Sequence, residues 1–375
     1  MHKVHQVLTT AGVARRVLML ELRVQDGAIV AYASHDDTDG VPFAIKGVTW
    51  GGAEGGEDRR GETIAPPIGL QQWSMDEIFA TLARHKFNLV RVTLSHLAVL
   101  RNNILVDDFN AAKNPSLAGT HYLSMLQEIA KAAAAHGILI VVAVSRLAPS
   151  DILDGLRERN PPGRWYSKFV GSEFSGWEMA ETTTLQSWRQ LSDALCKQWN
   201  VVGADLMSRL SHSTWGAQQT TDWDLAAARI GNHVLAQCPR WLVFVRGIGA
   251  TPAVEDAFIG ANLAGAATTP VILDNPEKLV YVARVRGPSE GQRKYFDGAR
   301  FPGSLEDVFE RQWAAIPRLT GARSPACKPA AFSGLKCRPF LLLFRHPSRR
   351  LHRLQLRRQF AGYGLCCVGH RVPGA

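Results

Sequence analysis

The sequence predicts an α/β fold, a (β/α)8 TIM barrel that is incomplete after its sixth strand–helix unit. Between about residues 43 and 315, short apolar strands alternate with amphipathic helices, which is typical of parallel strands joined by crossover helices. Ile138–Val144 is almost wholly apolar, as expected of a strand that helices cover on both faces. No G-x-G-x-x-G motif follows an early strand, so a dinucleotide-binding fold has little support.

The first elements are predicted as a β-hairpin that precedes the barrel. Val17–Val24 and Ala28–Ser34 are apolar strands, and Asp26-Gly27 between them favours a tight turn. Strands are then predicted to start near residues 43, 87, 138, 201, 241 and 279. A closed barrel needs eight strands, so the alternation stops two units short.

Helices are predicted in the intervals between these strands. Ser74 is a suitable N-cap for the first of them. The others are predicted at His121–His136, Leu185–Trp199, Asp222–Cys238 and Leu305–Ala315. A barrel of this class commonly occupies about 250 residues, so the chain is long enough for one barrel with additional ends.

The distribution of charge divides the chain. From Arg318 to Ala375 there are 12 Lys or Arg residues and no Asp or Glu, whereas the first 317 residues carry 31 basic and 33 acidic side chains. We therefore expect three regions: 1–42, an N-terminal segment with a hairpin; 43–317, the incomplete barrel; and 318–375, a basic tail that is disordered or non-native. The abrupt change near Arg318 suggests an altered reading frame that removes the seventh and eighth units.

Other features of the composition exclude several classes of protein. The six cysteines include no C-x-x-C pair, so a zinc site is not expected, and they do not fix a redox compartment. No apolar run approaches the length of a membrane span, and the run after Arg15-Arg16 is too short for a signal peptide. The tail lacks the interleaved aromatic residues that favour binding to single-stranded nucleic acid. We expect no metal, cofactor, nucleic-acid or membrane partner.

Several segments resemble glycoside hydrolase family 5, in its endoglucanase-type branch. They occur in the family's order over about 270 residues: Ile45–Gly52, Phe87–Val92, Ala112–Gly119, Gly203–Leu206, Thr214–Gly216, Asn262–Leu263 and Lys278–Tyr281. The resemblance implies a barrel whose working residues lie at the carboxyl ends of its strands. It also implies a β-glucan or oligosaccharide ligand, a secreted protein and, if the chain folds, a monomer.

The resemblance places the family's catalytic glutamates where this chain has none. Retaining glycosidases use two carboxyl groups, one as acid/base and one as nucleophile. After Gly203–Leu206 the family has H-N-E-P, and here Arg209 stands at the acid/base position and Ser208 at the preceding sugar-binding position. The V-G-E strand of the nucleophile is missing, and no Asp or Glu follows Glu310. We therefore expect that no catalytic residue is intact.

Other positions of the implied cleft keep or change their residue types. Trp50, Arg91 and Trp215 are the candidate substrate-binding residues, because aromatic rings stack on sugars and the family's arginine lies near the nucleophile. Arg246 and Arg284 stand at two further positions where the family has other residues. Together with Arg209 they are expected to crowd the barrel mouth with positive charge.

Three functional hypotheses follow. The chain is a β-glucan hydrolase that works despite the substitutions, a glucan-binding pseudoenzyme, or a degenerate product without a folded role. The missing carboxylates and the tail favour the third for this chain, while the first describes the family. An incomplete barrel leaves open sheet edges, so poor solubility is expected; the linkage of the glucan is not predicted.

Overall fold

A computed structural model describes residues 20–55, 66–148, 164–166, 179–288, 291–297, 301–314 and 367–368. Its first three strands form a small antiparallel sheet: β1 (Glu21–Gln25), β2 (Ala28–Tyr32) and β3 (Val41–Pro42). A second sheet follows in chain order: β4 (Gly47–Trp50), β5 (Leu89–Ser95), β6 (Leu139–Arg146), β7 (Val201–Asp205), β8 (Leu242–Arg246) and β9 (Leu279–Val282). These six strands are parallel throughout. The described residues thus contain the six barrel strands that the sequence predicts.

Helices connect the parallel strands. Their bounds are α1 (Met75–Arg84), α2 (His96–Arg101), α3 (Tyr122–Ala135), α4 (Glu181–Leu195), α5 (Trp223–Gln237) and α6 (Leu305–Phe309), the last continuing as a π-helical segment, Glu310–Ala314. Ser74 caps α1 as predicted: its hydroxyl accepts from the Glu77 backbone, and the Glu77 carboxylate accepts from the Ser74 N–H. This reciprocal pair satisfies two donors that a helix start otherwise leaves unpaired.

The alternation of side chains along each strand separates two apolar layers. In β5, Val90, Val92 and Leu94 pack outward in the large cluster formed with the helices. Leu89 points the other way, into a second cluster with residues of β6 to β9. Arg91 and Thr93 share the inward parity of Leu89, because successive strand residues face opposite sides. The inner face of the sheet therefore changes from apolar to polar toward the carboxyl ends of the strands.

The N-terminal hairpin packs on the inner apolar cluster. Leu22, Val24 and Ile29 belong to that cluster together with Leu89 and other inward residues. Across the same contact, the Lys278 ammonium donates to the Glu21 carboxylate, and to the Leu22 carbonyl at 2.9 Å. The hairpin therefore covers the amino-terminal end of the sheet, opposite the end where a barrel enzyme carries its site.

A disulfide joins Cys196 and Cys238, with a Cα–Cα distance of 5.7 Å. The two residues follow α4 and α5 directly and cap their C-termini. The cystine therefore ties together the ends of two neighbouring helices. The sequence left the state of these cysteines open, because the half-cystines lie 42 residues apart and show no local motif.

The structure differs from the sequence prediction at the first barrel strand. The strand was expected from Phe43, but β4 begins at Gly47. Phe43 and Ile45 instead pack against the inner cluster near the hairpin, and the Phe43 N–H donates to the Ile29 carbonyl. This contact explains why both residues are apolar. Sequence periodicity alone does not distinguish an apolar residue that packs on a hairpin from one that lies in a buried strand.

Parts of the predicted organisation lie outside the described residues. These parts are 1–19, with Arg15-Arg16 and the start of the first predicted strand, and all of 318–375 except 367–368. Cys367–Val368, here β10, pairs antiparallel with β9. The predicted division into three regions and the altered reading frame stay predictions.

Candidate functional site

Three charged side chains meet inside the sheet near the carboxyl ends of its strands. Arg91 lies in the middle of β5, Asp205 ends β7 and Arg246 ends β8. The Arg91 Nε lies 2.7 Å from Asp205 Oδ2, and Arg246 reaches the same oxygen with Nε at 2.8 Å and Nη2 at 2.7 Å. One carboxylate therefore serves two guanidinium groups, and all three residues are buried.

This arrangement holds Asp205 as an anion. Burial acts to raise the pKa of the Asp205 carboxyl, but the charges and hydrogen bonds of Arg246 and Arg91 outweigh it and keep the pKa below its ordinary value. A carboxyl group with a lowered pKa carries no proton to donate near neutral pH. Asp205 is thus a structural counter-ion and is unsuited to the role of general acid.

The two residues at the implied acid/base segment lie directly beyond β7. Ser208 is buried; its hydroxyl accepts from Arg91 Nη2 and donates to the Val144 carbonyl at 3.2 Å. Arg209 is exposed. A guanidinium does not lose its proton in proteins, so Arg209 can neither donate a proton to a leaving group nor activate water.

A cavity of about 20 Å³ lies between the first and last parallel strands. Its lining comes from residues 47–49 of β4, Leu89 and Arg91 of β5, Arg246 of β8 and residues 282–285 around the end of β9. Arg91, Arg246 and Arg284 are thus brought to one cavity. Arg209, the other arginine expected at the mouth, is not among its lining residues.

The two predicted tryptophans have different surroundings. Trp50 is 6% exposed; its ring stands edge-on to Phe79 at a centroid distance of 5.6 Å, and its Nε1 donates to the Ile68 carbonyl. The structure therefore places Trp50, the last residue of β4, in the core, where a sugar could reach it only after a rearrangement. Its sugar-stacking role stays a prediction.

Trp215 is half-buried and lies in the loop before α5. Its Nε1 donates to the Thr269 carbonyl at 2.7 Å. Any side chain at Gly265 would collide with the Trp215 ring, because an added Cβ would lie 2.5 Å from Cδ1. The ring is thus fixed by its surroundings: it also packs against the outer apolar cluster and lies 6.3 Å from the Tyr281 ring, centroid to centroid. Its sugar-stacking role stays a prediction.

Two residues of the same end of the sheet were missed by sequence reasoning. Glu54, in the loop after β4, accepts from Thr93 Oγ1 at 2.5 Å and from the Gly52 N–H at 2.7 Å. Trp73, just before α1, is 43% exposed, and the Lys113 ammonium lies 5.4 Å from its ring centroid. The sequence around Glu54 and Trp73 contains no motif typical of a ligand site. The two residues are identified only because the structure places their loops at this end of the sheet.

Within the described ranges, no group of three His, Cys, Asp or Glu side chains is arranged to hold a metal ion. None of the helices that the structure describes is both long and apolar enough to cross a bilayer.

Known proteins resemble the chain in sequence over most of the described body. The family defined as Cellulase (glycosyl hydrolase family 5) matches residues 43–314, more than half of the chain. An endoglucanase of Paenibacillus polymyxa is 27% identical over 292 residues, covering 75% of this chain and 66% of that protein. The major extracellular endoglucanase of Xanthomonas campestris pv. campestris is 26% identical, with 74% and 53% covered. The chain thus spans just under two thirds of one relative and about half of the other.

Solved structures give the same result for the fold. An endocellulase of Pyrococcus horikoshii, solved as a complex of a variant with cellotetraose, superposes with a TM-score of 0.66 at 25% identity, covering 80% of this chain and 78% of that one. The catalytic domain of the Xanthomonas enzyme gives a TM-score of 0.64 at 24% identity, with 80% and 78% covered. These likenesses confirm the predicted barrel class. The chain belongs to glycosyl hydrolase family 5, the cellulase family.

Proposed function

We propose that this chain binds β-glucan oligosaccharides at the carboxyl end of its barrel and does not cleave them by the retaining mechanism of family 5. The single observation that carries the proposal is the charge at the site. Arg209 stands at the implied acid/base position, and the neighbouring Asp205 is engaged by Arg91 and Arg246. Neither group supplies the proton that departure of the leaving sugar needs.

The binding half of the proposal is supported by the relatives and by Trp215. The Pyrococcus horikoshii endocellulase was solved in complex with cellotetraose, and the chain belongs to the same family. The Trp215 ring is half-buried and is held in place by the Thr269 carbonyl and by the close approach of Gly265. Aromatic faces of this kind contribute apolar area with little loss of side-chain freedom, which suits the face of a glucose ring.

Binding is tested by titrating the purified chain with cellotetraose and following tryptophan fluorescence and heat. We expect saturable binding that Trp215→Ala weakens at least about tenfold, the factor that corresponds to 1.4 kcal/mol. Trp199→Ala is the matched control, since its half-buried ring lies just before β7, at the opposite end of the sheet. Absence of any response in the folded wild-type chain would contradict the proposal.

Hydrolysis is tested by reducing-sugar release from soluble β-1,4 and β-1,3 glucans, with a family 5 endoglucanase as the positive control. We expect release at the level of a blank without protein. Release above the blank would favour the hydrolase alternative. In that case Glu54→Gln identifies the source of activity, because Glu54 is a carboxylate at the same end of the sheet; retention of activity in that variant would point to a contaminant or another residue.

A further inference from the structure

Two buried aspartates bond to the loop that follows Trp215. Asp222 and Asp224 stand at the start of α5 and are each 2% exposed, whereas the loop residues 216–220 are exposed. We propose that Asp224 is a positioning residue, whose carboxylate fixes the peptide between Trp215 and Gly216 and so holds the ring that contacts the sugar. This inference rests on the proposed function, because Trp215 is the ring assigned there to the ligand.

The N–H groups of the loop turn toward these two carboxylates. The Gly216 N–H donates to Asp224 Oδ1 at 2.9 Å, and the Gln219 N–H donates to Asp222 Oδ2 at 3.0 Å. Asp222 also accepts from the N–H groups of residues 217 and 218. Hydrogen bonds to a charged acceptor are about twice as strong as neutral ones. Four consecutive N–H groups of an exposed loop are therefore held by the interior of the protein.

The burial of Asp224 indicates that its contact with the loop matters. Burial raises the pKa of the Asp224 carboxyl; the bond from the Gly216 N–H opposes this rise, and the charge of Asp222 adds to it. Burying a carboxylate is costly unless hydrogen bonds compensate. An acidic side chain in the first turn of a helix favours the helix even at an exposed position. The helix alone therefore does not require Asp224 to be buried, whereas the bond to Gly216 does.

The peptide that Asp224 holds determines where the indole of Trp215 stands. Its N–H belongs to Gly216, which has φ of +62°, in the left-handed region that favours glycine. A Cβ added at Gly216 would lie 2.6 Å from Thr269 Oγ1, and the Thr269 carbonyl accepts from Trp215 Nε1. The ring edge and the backbone of Trp215 thus have separate supports, and Asp224 supplies the one for the backbone.

The binding test is calorimetry with cellotetraose on the wild type, Asp224→Ala and Asp224→Asn. Alanine removes the acceptor of the Gly216 N–H, and we expect the affinity to fall at least about fivefold, as for loss of a hydrogen bond to a charged group. Asparagine keeps one acceptor oxygen and should retain most of the affinity. Val234→Ala is the matched control: it removes buried methyl groups near the other end of α5 and should lower the Tm while leaving the affinity unchanged.

A second measurement needs no sugar. In chains that carry fluorinated tryptophan, fluorine NMR identifies the Trp215 signal by its loss in Trp215→Phe. We expect this signal to shift or broaden in Asp224→Ala and to return toward its wild-type position in Asp224→Asn. The signal of Trp199, just before β7 at the opposite end of the sheet, should stay unchanged in both variants.

An unchanged Trp215 signal in folded Asp224→Ala would overturn the inference, and so would an unchanged affinity for cellotetraose. If the wild type itself binds no cellotetraose, the proposed function fails, and the fluorine signal alone decides the role of Asp224. If Asp224→Ala does not fold, Asp224→Ser replaces it in both measurements. Serine keeps a polar group in the first turn of α5, but its side chain is too short to reach the Gly216 N–H.

Discussion

At the scale of single residues, the mouth of this barrel is organised by a carboxylate that two arginines share. The sequence predicted Arg91 in the cleft and Arg246 at the barrel mouth, and it gave Asp205 no role in the site. The sequence did not show that the three side chains bond to one another. That requires each residue to face the inside of the barrel, and the three residues lie on three different strands. The expected crowding of positive charge is found for Arg246 and Arg284, whereas Arg209 lies apart from the cavity.

The shared carboxylate predicts a large effect of one substitution. Asp205→Asn would leave two buried guanidinium groups without their counter-charge, and removing one partner of a buried ion pair costs about 3–5 kcal/mol. We expect a decrease of that order in the free energy of unfolding, measured by urea denaturation. Asp36→Asn, at an exposed position, is the control and should change the free energy by less than about 0.5 kcal/mol. If the two variants have equal free energies of unfolding, the contacts of Asp205 with Arg91 and Arg246 do not stabilise the fold.

His96 predicts a dependence of stability on pH. It is buried, its Nδ1 lies 3.0 Å from Ser187 Oγ, and burial lowers its pKa to about 3 from 6.5. The unfolded chain therefore takes up a proton near pH 6.5 that the folded chain resists. The stabilising contribution is present above pH 6.5 and is lost progressively as the pH falls toward 3.

The measurement compares the wild type with His96→Gln between pH 7 and 4.5. Glutamine has no charge to gain, so the variant should lose less stability than the wild type as the pH falls. At about 1.4 kcal/mol per pH unit for one proton, the two unfolding free energies should converge by about 2.5 kcal/mol over this range. His35→Gln, with an imidazole that is 80% exposed, controls for surface histidines. If the unfolding free energies of the wild type and His96→Gln change in parallel with pH, burial does not lower the pKa of His96.

At the scale of elements, the strands and helices were largely predictable and their ends were not. Apolar runs located β5 to β9 because buried parallel strands need them. The start of β4 was misplaced because Phe43 and Ile45 are apolar for contact with the hairpin. Helix α2 was not predicted, since its six residues are too few for a periodic pattern; Ser95, which caps it, was the only local signal.

The cystine between the ends of α4 and α5 predicts sensitivity to reduction. A chain-entropy estimate for a loop of this length gives about 4 kcal/mol of stabilisation. We expect dithiothreitol to lower the unfolding free energy of the wild type by about 2–4 kcal/mol and to leave the double variant Cys196→Ala, Cys238→Ala unaffected. Equal responses of the two proteins to the reductant would contradict the pairing. A disulfide suits the secreted location that the family resemblance implies, and that location stays a prediction.

At the scale of the whole molecule, the described body is joined by contacts far apart in sequence. The bond between Lys278 and Glu21 connects the hairpin to β9, and one outer apolar cluster extends from Trp50 to Trp313. Against the poor solubility that open sheet edges predict, these long-range contacts lead us to expect a cooperative unfolding transition and a monomer on sizing chromatography. Aggregation in the void volume, without a calorimetric transition, would instead favour a degenerate product with open sheet edges.

We propose a family 5 barrel that keeps its sugar ligand and has lost the proton transfer that cleaves it. The most direct test is the fate of cellotetraose, followed by mass spectrometry over a day at a concentration that saturates the chain by calorimetry. We expect saturable binding and intact tetrasaccharide, with shorter sugars at the level of the blank. Steady accumulation of cellobiose or glucose, proportional to the amount of wild-type protein and absent with Glu54→Gln, would contradict it.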